Sequence, residues 1–266
     1  MSKSLLLIHG VGCGGEVWDR MRSDFEAAGY RVEAPTLFPD KRTLSDPPAA
    51  LCDLRLSDYV DAMSEAAKAL EAETGGKPAV MGHSMGGLIA QHLAARGDVS
   101  SAVFLTPASP KGATVFNLKV FRTFAVLLSI GRKNLPNTPV KVGPKGFSWG
   151  VLNAVDPARH AEIYAGARFD SGKVYADLSD PAPVNEADIH IPTLTIAASK
   201  DRATIAKAVR KVAAKYAAAP IPGDFIEYPE NAHWIVDEPG TDKVVADILS
   251  WLNRAEVASL SLQQAL

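Results

Sequence analysis

One local pattern constrains this chain more than any other. The apolar run Ala79-Val80-Met81 feeds directly into Gly82-His83-Ser84-Met85-Gly86-Gly87, and helical periodicity follows from Leu88 to Arg96. A strand that turns into a helix within a few residues needs small neighbours, because the turn is tight and its flanks pack closely. Gly82 and Gly86 supply that space. A G-x-S-x-G match alone arises in roughly one chain in ten of this length, so the strand before it and the helix after it carry the assignment.

The same alternation runs through the chain. Strand-like runs at Ser4–Ile8, Arg31–Leu37, Pro78–Met81, Ser101–Thr106, Thr193–Ala198 and Asp224–Tyr228 are separated by helical patterns. Those patterns cover Glu16–Ala28, Leu56–Glu73, Leu88–Arg96, Arg202–Ala218 and Thr241–Leu252, with Gly29 as a stop signal for the first. Continuous apolar strands joined by helical crossovers predict an α/β fold, a mostly parallel open sheet covered by helices on both faces. A Pro-rich loop is expected over Phe38–Ala50.

The alternation breaks between residue 110 and about residue 188. Helical patterns at Leu118–Ile130, Ala158–Arg168 and Lys173–Leu178 flank a Pro/Gly-rich stretch, Asn134–Gly146, with no strand-like run between them. The expected organisation is a core of residues 1–109 and 189–266, with residues 110–188 as a helical cap inserted after the fourth strand. At 266 residues the chain is long for one domain and short for two, which suits a core with an insertion.

A serine hydroxyl needs a base to take its proton. Of the six histidines, His83 is expected to point away from the reacting side of Ser84, His92 lies on the exit helix, and His160 falls in the insertion. His190 precedes a strand, at the opposite end of the sheet. His233 follows the last strand, on the edge where open α/β sheets bind ligands, and is the expected base. Asp201, just beyond the fifth strand, is the expected acid that orients it. The rival loop, Pro107-Ala108-Ser109-Pro110-Lys111, holds no carboxylate.

An oxyanion formed at Ser84 would face the free N–H of Met85, first in the exit helix. The second donor is expected from the loop after the first strand: Val11, with Gly12 as the alternative. His9 reads as a hydrogen-bonding support of that loop, and Gly10 as part of the substrate site. Aromatic residues of the insertion and its lip, Phe147, Trp149, Tyr164, Phe169, Tyr175 and Trp234, could face substrate or form core. Trp149 and Trp234 are the expected substrate contacts. Arg159, His160 and Arg168 could hold a substrate carboxylate or lie solvated.

Together, the His9-Gly10 loop, the Gly82–Gly87 elbow, Asp201 and His233-Trp234, in the order Ser, Asp, His, resemble the α/β-hydrolase superfamily. The resemblance covers residues 4–109 and 189–254 and looks closest to small bacterial lidded hydrolases, the esterase, lactonase and carbon–carbon-bond hydrolase group. It implies the fold, a Ser84–His233–Asp201 triad and a lid over residues 110–188. Many relatives begin with two additional strands; only three residues precede Ser4 here, so a short sheet is expected at that edge. Relatives that open haloalkanes or epoxides carry an aspartate where this chain has Ser84.

The expected function is hydrolysis of a carboxylic ester or related acyl bond of a small molecule through an acyl-enzyme. A carbon–carbon-bond hydrolase or lyase using the same triad is the first alternative, and a ligand receptor on a hydrolase frame the second. Neither a metal nor an organic cofactor is expected. The net charge of −2, from 28 basic and 30 acidic residues, gives no footprint for nucleic acid or an anionic membrane. Lys207, Arg210, Lys211 and Lys215 read as the solvated face of a helix. The cysteines, Cys13 and Cys52, fit neither a disulfide framework nor a zinc site. Leu5–Ile8 is too short for a signal-peptide core, and the expectation is a cytoplasmic monomer or homodimer.

Overall fold

The computed structural model describes residues 3–264. The core alternates β1 (Ser4–Ile8), α1 (Asp19–Ala27), β2 (Arg31–Glu33), α2 (Leu56–Thr74), β3 (Ala79–His83), α3 (Met85–Arg96) and β4 (Ser101–Leu105). The insertion follows, with α4 (Leu118–Thr123), α5 (Val126–Ile130), β5 (Pro139–Val140), α6 (Pro144–Gly150), α7 (His160–Ala165), β6 (Asp170–Ser171) and α8 (Gly172–Ser179). The chain then returns to the core through β7 (Thr193–Ala198), α9 (Ala206–Tyr216), β8 (Asp224–Tyr228) and α10 (Thr241–Gln264).

Six strands form one sheet in the order β2-β1-β3-β4-β7-β8, every neighbouring pair parallel. Strand periodicity sends alternate side chains to opposite faces. Leu5 and Leu7 pack with Phe25 of α1 and Trp251 of α10, while Leu6 and Ile8 pack with Tyr59 of α2 and Leu88 of α3. β1, β3 and β4 are buried along their whole length, which is why their sequences are apolar without alternation. Each such Leu, Ile or Phe contributes about 1.5–3 kcal/mol of burial.

Differences from the sequence reading have local causes. β2 stops at Glu33, because Pro35 lacks an N–H and the Gly15 turn packs against this stretch, its N–H donating to Thr36 Oγ1. The helix expected from Glu16 opens as a 3-10 turn over Gly15–Trp18 before α1 begins. α1 ends at Ala27 with Ala28 as its cap, and the chain turns at Gly29, whose φ of 87° favours glycine. α9 starts at Ala206 rather than Arg202, since the Asp201 carboxylate draws the N–H groups of Ala203 and Thr204 into a turn. The insertion is not purely helical: β5 and β6 pair antiparallel.

Candidate active site

Ser84 sits at the junction of β3 and α3 with φ 56° and ψ −118°, a conformation that L residues rarely adopt. Such strain costs about 1–3 kcal/mol and persists only where surrounding structure enforces it. Here the glycines enforce it. A Cβ on Gly82 would lie 2.0 Å from the Gly86 carbonyl oxygen, and one on Gly86 would lie 2.1 Å from that of Ile8. Helix and sheet therefore approach at backbone contact, and the turn lifts Ser84 into a cavity above the carboxyl ends of the strands. As the first residue of α3, Met85 has no carbonyl one turn earlier to receive its N–H.

His233 and Asp201 meet at this edge. The His233 Nδ1–H donates to Asp201 Oδ2 at 2.8 Å, which leaves Nε2 as the acceptor nitrogen. Asp201 Oδ1 accepts from the N–H groups of Ala203 and Thr204 at 2.7 and 2.8 Å, and the Thr204 hydroxyl lies 2.8 Å from Oδ2. Asp201 is thus both the partner of His233 and the cap of the turn that follows it. Burial works against its charge, but His233 and then the Thr204 groups outweigh burial and hold the carboxyl below its ordinary value. Among the described residues, His233 bonds to Asp201, Thr204 and His83, with no hydrogen bond from its ring to Ser84. Ser84 and His233 both line the cavity.

His83 departs from expectation. Its side chain does not turn away: Nε2–H donates to the His233 carbonyl at 2.8 Å, and the two rings lie 4.8 Å apart. Burial, and then the neighbouring His233, push its pKa down to about 3. The His83 ring is therefore neutral near neutral pH and adds no positive charge beside His233.

The loop after β1 forms the facing wall. Gly10 lies so close to Ser84 that a Cβ there would sit 3.1 Å from the serine Cβ. Val11 lines the cavity. Gly12, the alternative second donor, is already committed: its N–H donates to Asp170 on β6. His9 supports the loop, accepting at Nε2 from the Leu37 N–H (3.1 Å) and donating from Nδ1 to the Gly10 carbonyl (2.8 Å).

Beneath that loop lies a polar network that the sequence did not announce. Arg42 and Asp170, both fully buried, pair through Nε–Oδ1 at 2.6 Å and Nη2–Oδ2 at 2.9 Å. Arg42 also donates to the Cys13 carbonyl, and the Tyr59 hydroxyl donates to Asp170 Oδ1 at 2.7 Å. Burial and the Asp170 charge push the Tyr59 hydroxyl up, so it remains a donor. Asp170 thus ties the insertion to the wall facing Ser84.

From the insertion, Phe124, Val142, Phe147 and Val151 line the cavity above Ser84. Trp234 lines it, and its buried indole N–H has no acceptor among the described residues. Trp149 is outside the lining; its ring stacks between the Arg122 and Arg202 guanidinium groups at 4.2 and 4.7 Å. Arg159 is paired with Asp237, and His160 bonds the Val155 carbonyl. Arg168 does line the pocket, alongside Lys141, which the sequence reading had passed over. Cys13 lines it too, but burial pushes its thiol up to about 12, far from a working nucleophile. Among the described residues, no group of three His, Cys, Asp or Glu is placed to hold a metal.

Residues 5–247 match the alpha/beta hydrolase family model, and the chain belongs to that family. No curated protein matches it significantly by sequence. Solved structures with the same fold include the methylesterase MES16 from Arabidopsis (18% identity, TM-score 0.68), covering 96% of this chain and 99% of that one. The Paleococcus ferrophilus monoacylglycerol lipase is similar at 19% identity and TM-score 0.67, covering 94% of this chain and 93% of its own. Tomato Methylketone Synthase I, complexed with 2-tridecanone, matches at 19% identity and TM-score 0.70, covering 96% and 99%.

Proposed function

We propose that this protein is a serine hydrolase that cleaves a carboxylic ester, or a related acyl bond, of a small molecule. Ser84 Oγ attacks the carbonyl carbon while His233 Nε2 takes the hydroxyl proton, and Asp201 holds the imidazolium that forms. The N–H groups of Val11 and Met85 receive the oxyanion. Collapse of the tetrahedral intermediate expels the alcohol, which takes its proton from His233 and leaves an acyl group on Ser84. Water, deprotonated by His233, then releases the acid and restores the serine.

The observation that carries this reading is the 2.8 Å bond from His233 Nδ1 to Asp201 in a cavity wall shared with the strained Ser84. Phe124, Val142 and Phe147 make the opposite wall apolar, which favours a substrate with an alkyl or aryl group near its carbonyl.

Burst kinetics on p-nitrophenyl esters of short fatty acids test it. The expected result is a rapid release of nitrophenol equal to the enzyme concentration, then steady turnover, both absent from Ser84→Ala. Turnover that survives in Ser84→Ala would refute the mechanism. An inert ester panel, with turnover of a carbon–carbon substrate instead, would move the same triad to a lyase or C–C hydrolase.

A further inference from the structure

The near-zero total charge hides a regional imbalance. Residues 111–155 hold seven basic side chains (Lys111, Lys119, Arg122, Arg132, Lys133, Lys141 and Lys145) and no acidic one. Taking those seven from 28 leaves 21 basic against 30 acidic residues elsewhere. On the core, Arg210 pairs with Glu227, Lys215 with Glu186 and Arg96 with Asp61, while the exposed Lys77, Lys207, Lys211 and Arg254 form no ion pair among the described residues. Within residues 111–155, Lys111 alone pairs with a carboxylate among the described residues, reaching Asp180 at 3.9 Å. Lys119, Arg132, Lys133 and Lys145 are exposed and form no ion pair among the described residues.

The same segment turns large apolar side chains outward. Phe116 is 77% exposed, Leu118 76%, Leu128 66% and Phe121 41%. The inward side is spent on packing, with Thr123 buried against Gly150 of α6 and Phe124 lining the pocket. The Phe116 and Phe121 rings lie 4.9 Å apart, tilted by 50°, so these residues begin a ridge along α4 and α5. Single exposed leucines are ordinary. Four large apolar residues between positions 116 and 128, set among unpaired cations, have the composition of a surface that enters a lipid interface.

We propose that the α4–α5 ridge docks on an anionic phospholipid surface. Phe116, Leu118 and Leu128 enter the headgroup–acyl boundary, and Lys119, Arg132 and Lys133 meet the lipid phosphates. Charge decides against a second copy of this chain, because a two-fold contact through the ridge sets one basic segment against another. A nucleic acid would satisfy the cations but leave Leu118 and Leu128 in water. The docked ridge carries Phe124 on its inner side, so the pocket wall and the lipid would be separated by one thin layer of helix.

Vesicle co-sedimentation of the full chain bearing Ser84→Ala tests docking apart from hydrolysis. Vesicles of phosphatidylcholine alone are compared with vesicles about one-third phosphatidylglycerol. The expected result is binding to the anionic vesicles only, weakened by salt. Lys119→Glu/Arg132→Glu/Lys133→Glu should lower the partition by roughly a hundredfold or more. Phe116→Ser/Leu118→Ser should abolish binding with the melting temperature unchanged. Equal binding to both vesicle types, no binding at all, or insensitivity to Phe116→Ser/Leu118→Ser would overturn the proposal. So would self-association that the Phe116→Ser/Leu118→Ser pair removes, which would assign the ridge to a second copy.

Discussion

The core edge and the insertion use the same residue types for different ends. At the core edge every strained or polar element is over-determined: Ser84 by glycine contacts, Asp201 by two backbone N–H groups, His233 by Asp201 and His83. In the insertion, short helices leave phenylalanine, leucine and lysine facing solvent, and few of its cations are paired. The core spends its interactions on fixing the atoms of the proposed site. The insertion decides what surrounds those atoms. The two regions join at Asp170, an insertion residue that binds the loop facing Ser84.

The sharpest separation of the regions is Ser84→Ala. Ester turnover should fall by roughly 10⁴–10⁶, while the melting temperature stays close to that of the parent. Asp170→Asn comes next and tests the joint. It leaves the buried Arg42 without a counter-charge, and unfolding by urea should show a loss of about 3–5 kcal/mol. The kcat of the folded fraction should also fall with KM little changed, because the Gly12 loop loses its anchor. A kcat equal to the parent's would show that the network supports the fold alone.

A smaller effect concerns acid. His83 has its folded pKa depressed to about 3, so the unfolded chain takes up a proton there that the folded chain refuses. Stability should therefore be level with respect to this group above about pH 6.5 and decline as pH falls from there toward 3. The depressed Asp201 adds a loss of the same sign at the acid end, as pH falls through its ordinary value and below. Melting temperatures of His83→Gln across this range should fall less steeply than the parent's. The smallest effect is expected at Trp149: Trp149→Ala should cost about 1 kcal/mol through its two guanidinium stacks and leave ester KM unchanged, whereas Phe147→Ala should raise KM.

Much of this was legible in the residues because it is encoded locally. Apolar runs mark β1, β3, β4 and β7, and the elbow and its glycines are contiguous in sequence. Asp201 and His233 follow strand ends, so topology alone brings them to one edge. What was not legible depends on contacts between distant segments. Arg42 and Asp170 lie 128 positions apart, with no spacing that links them. Thr204 was nearer to view, since an Asp followed two and three residues later by free N–H groups is an Asx-type turn. Trp149 shows the opposite failure: an aromatic in the insertion suggested substrate, and two arginines from other segments claimed its faces. Whole-chain charge likewise concealed the basic ridge, because acidic residues elsewhere balance it.

The most direct test of the central claim is labelling by a fluorophosphonate, with the modified residue mapped by peptide mass spectrometry. An assembled triad predicts one label per chain, carried on Ser84, with labelling slowed severely in both His233→Ala and Asp201→Ala. A label on any other residue, no label at all, or an unchanged rate in His233→Ala would contradict it.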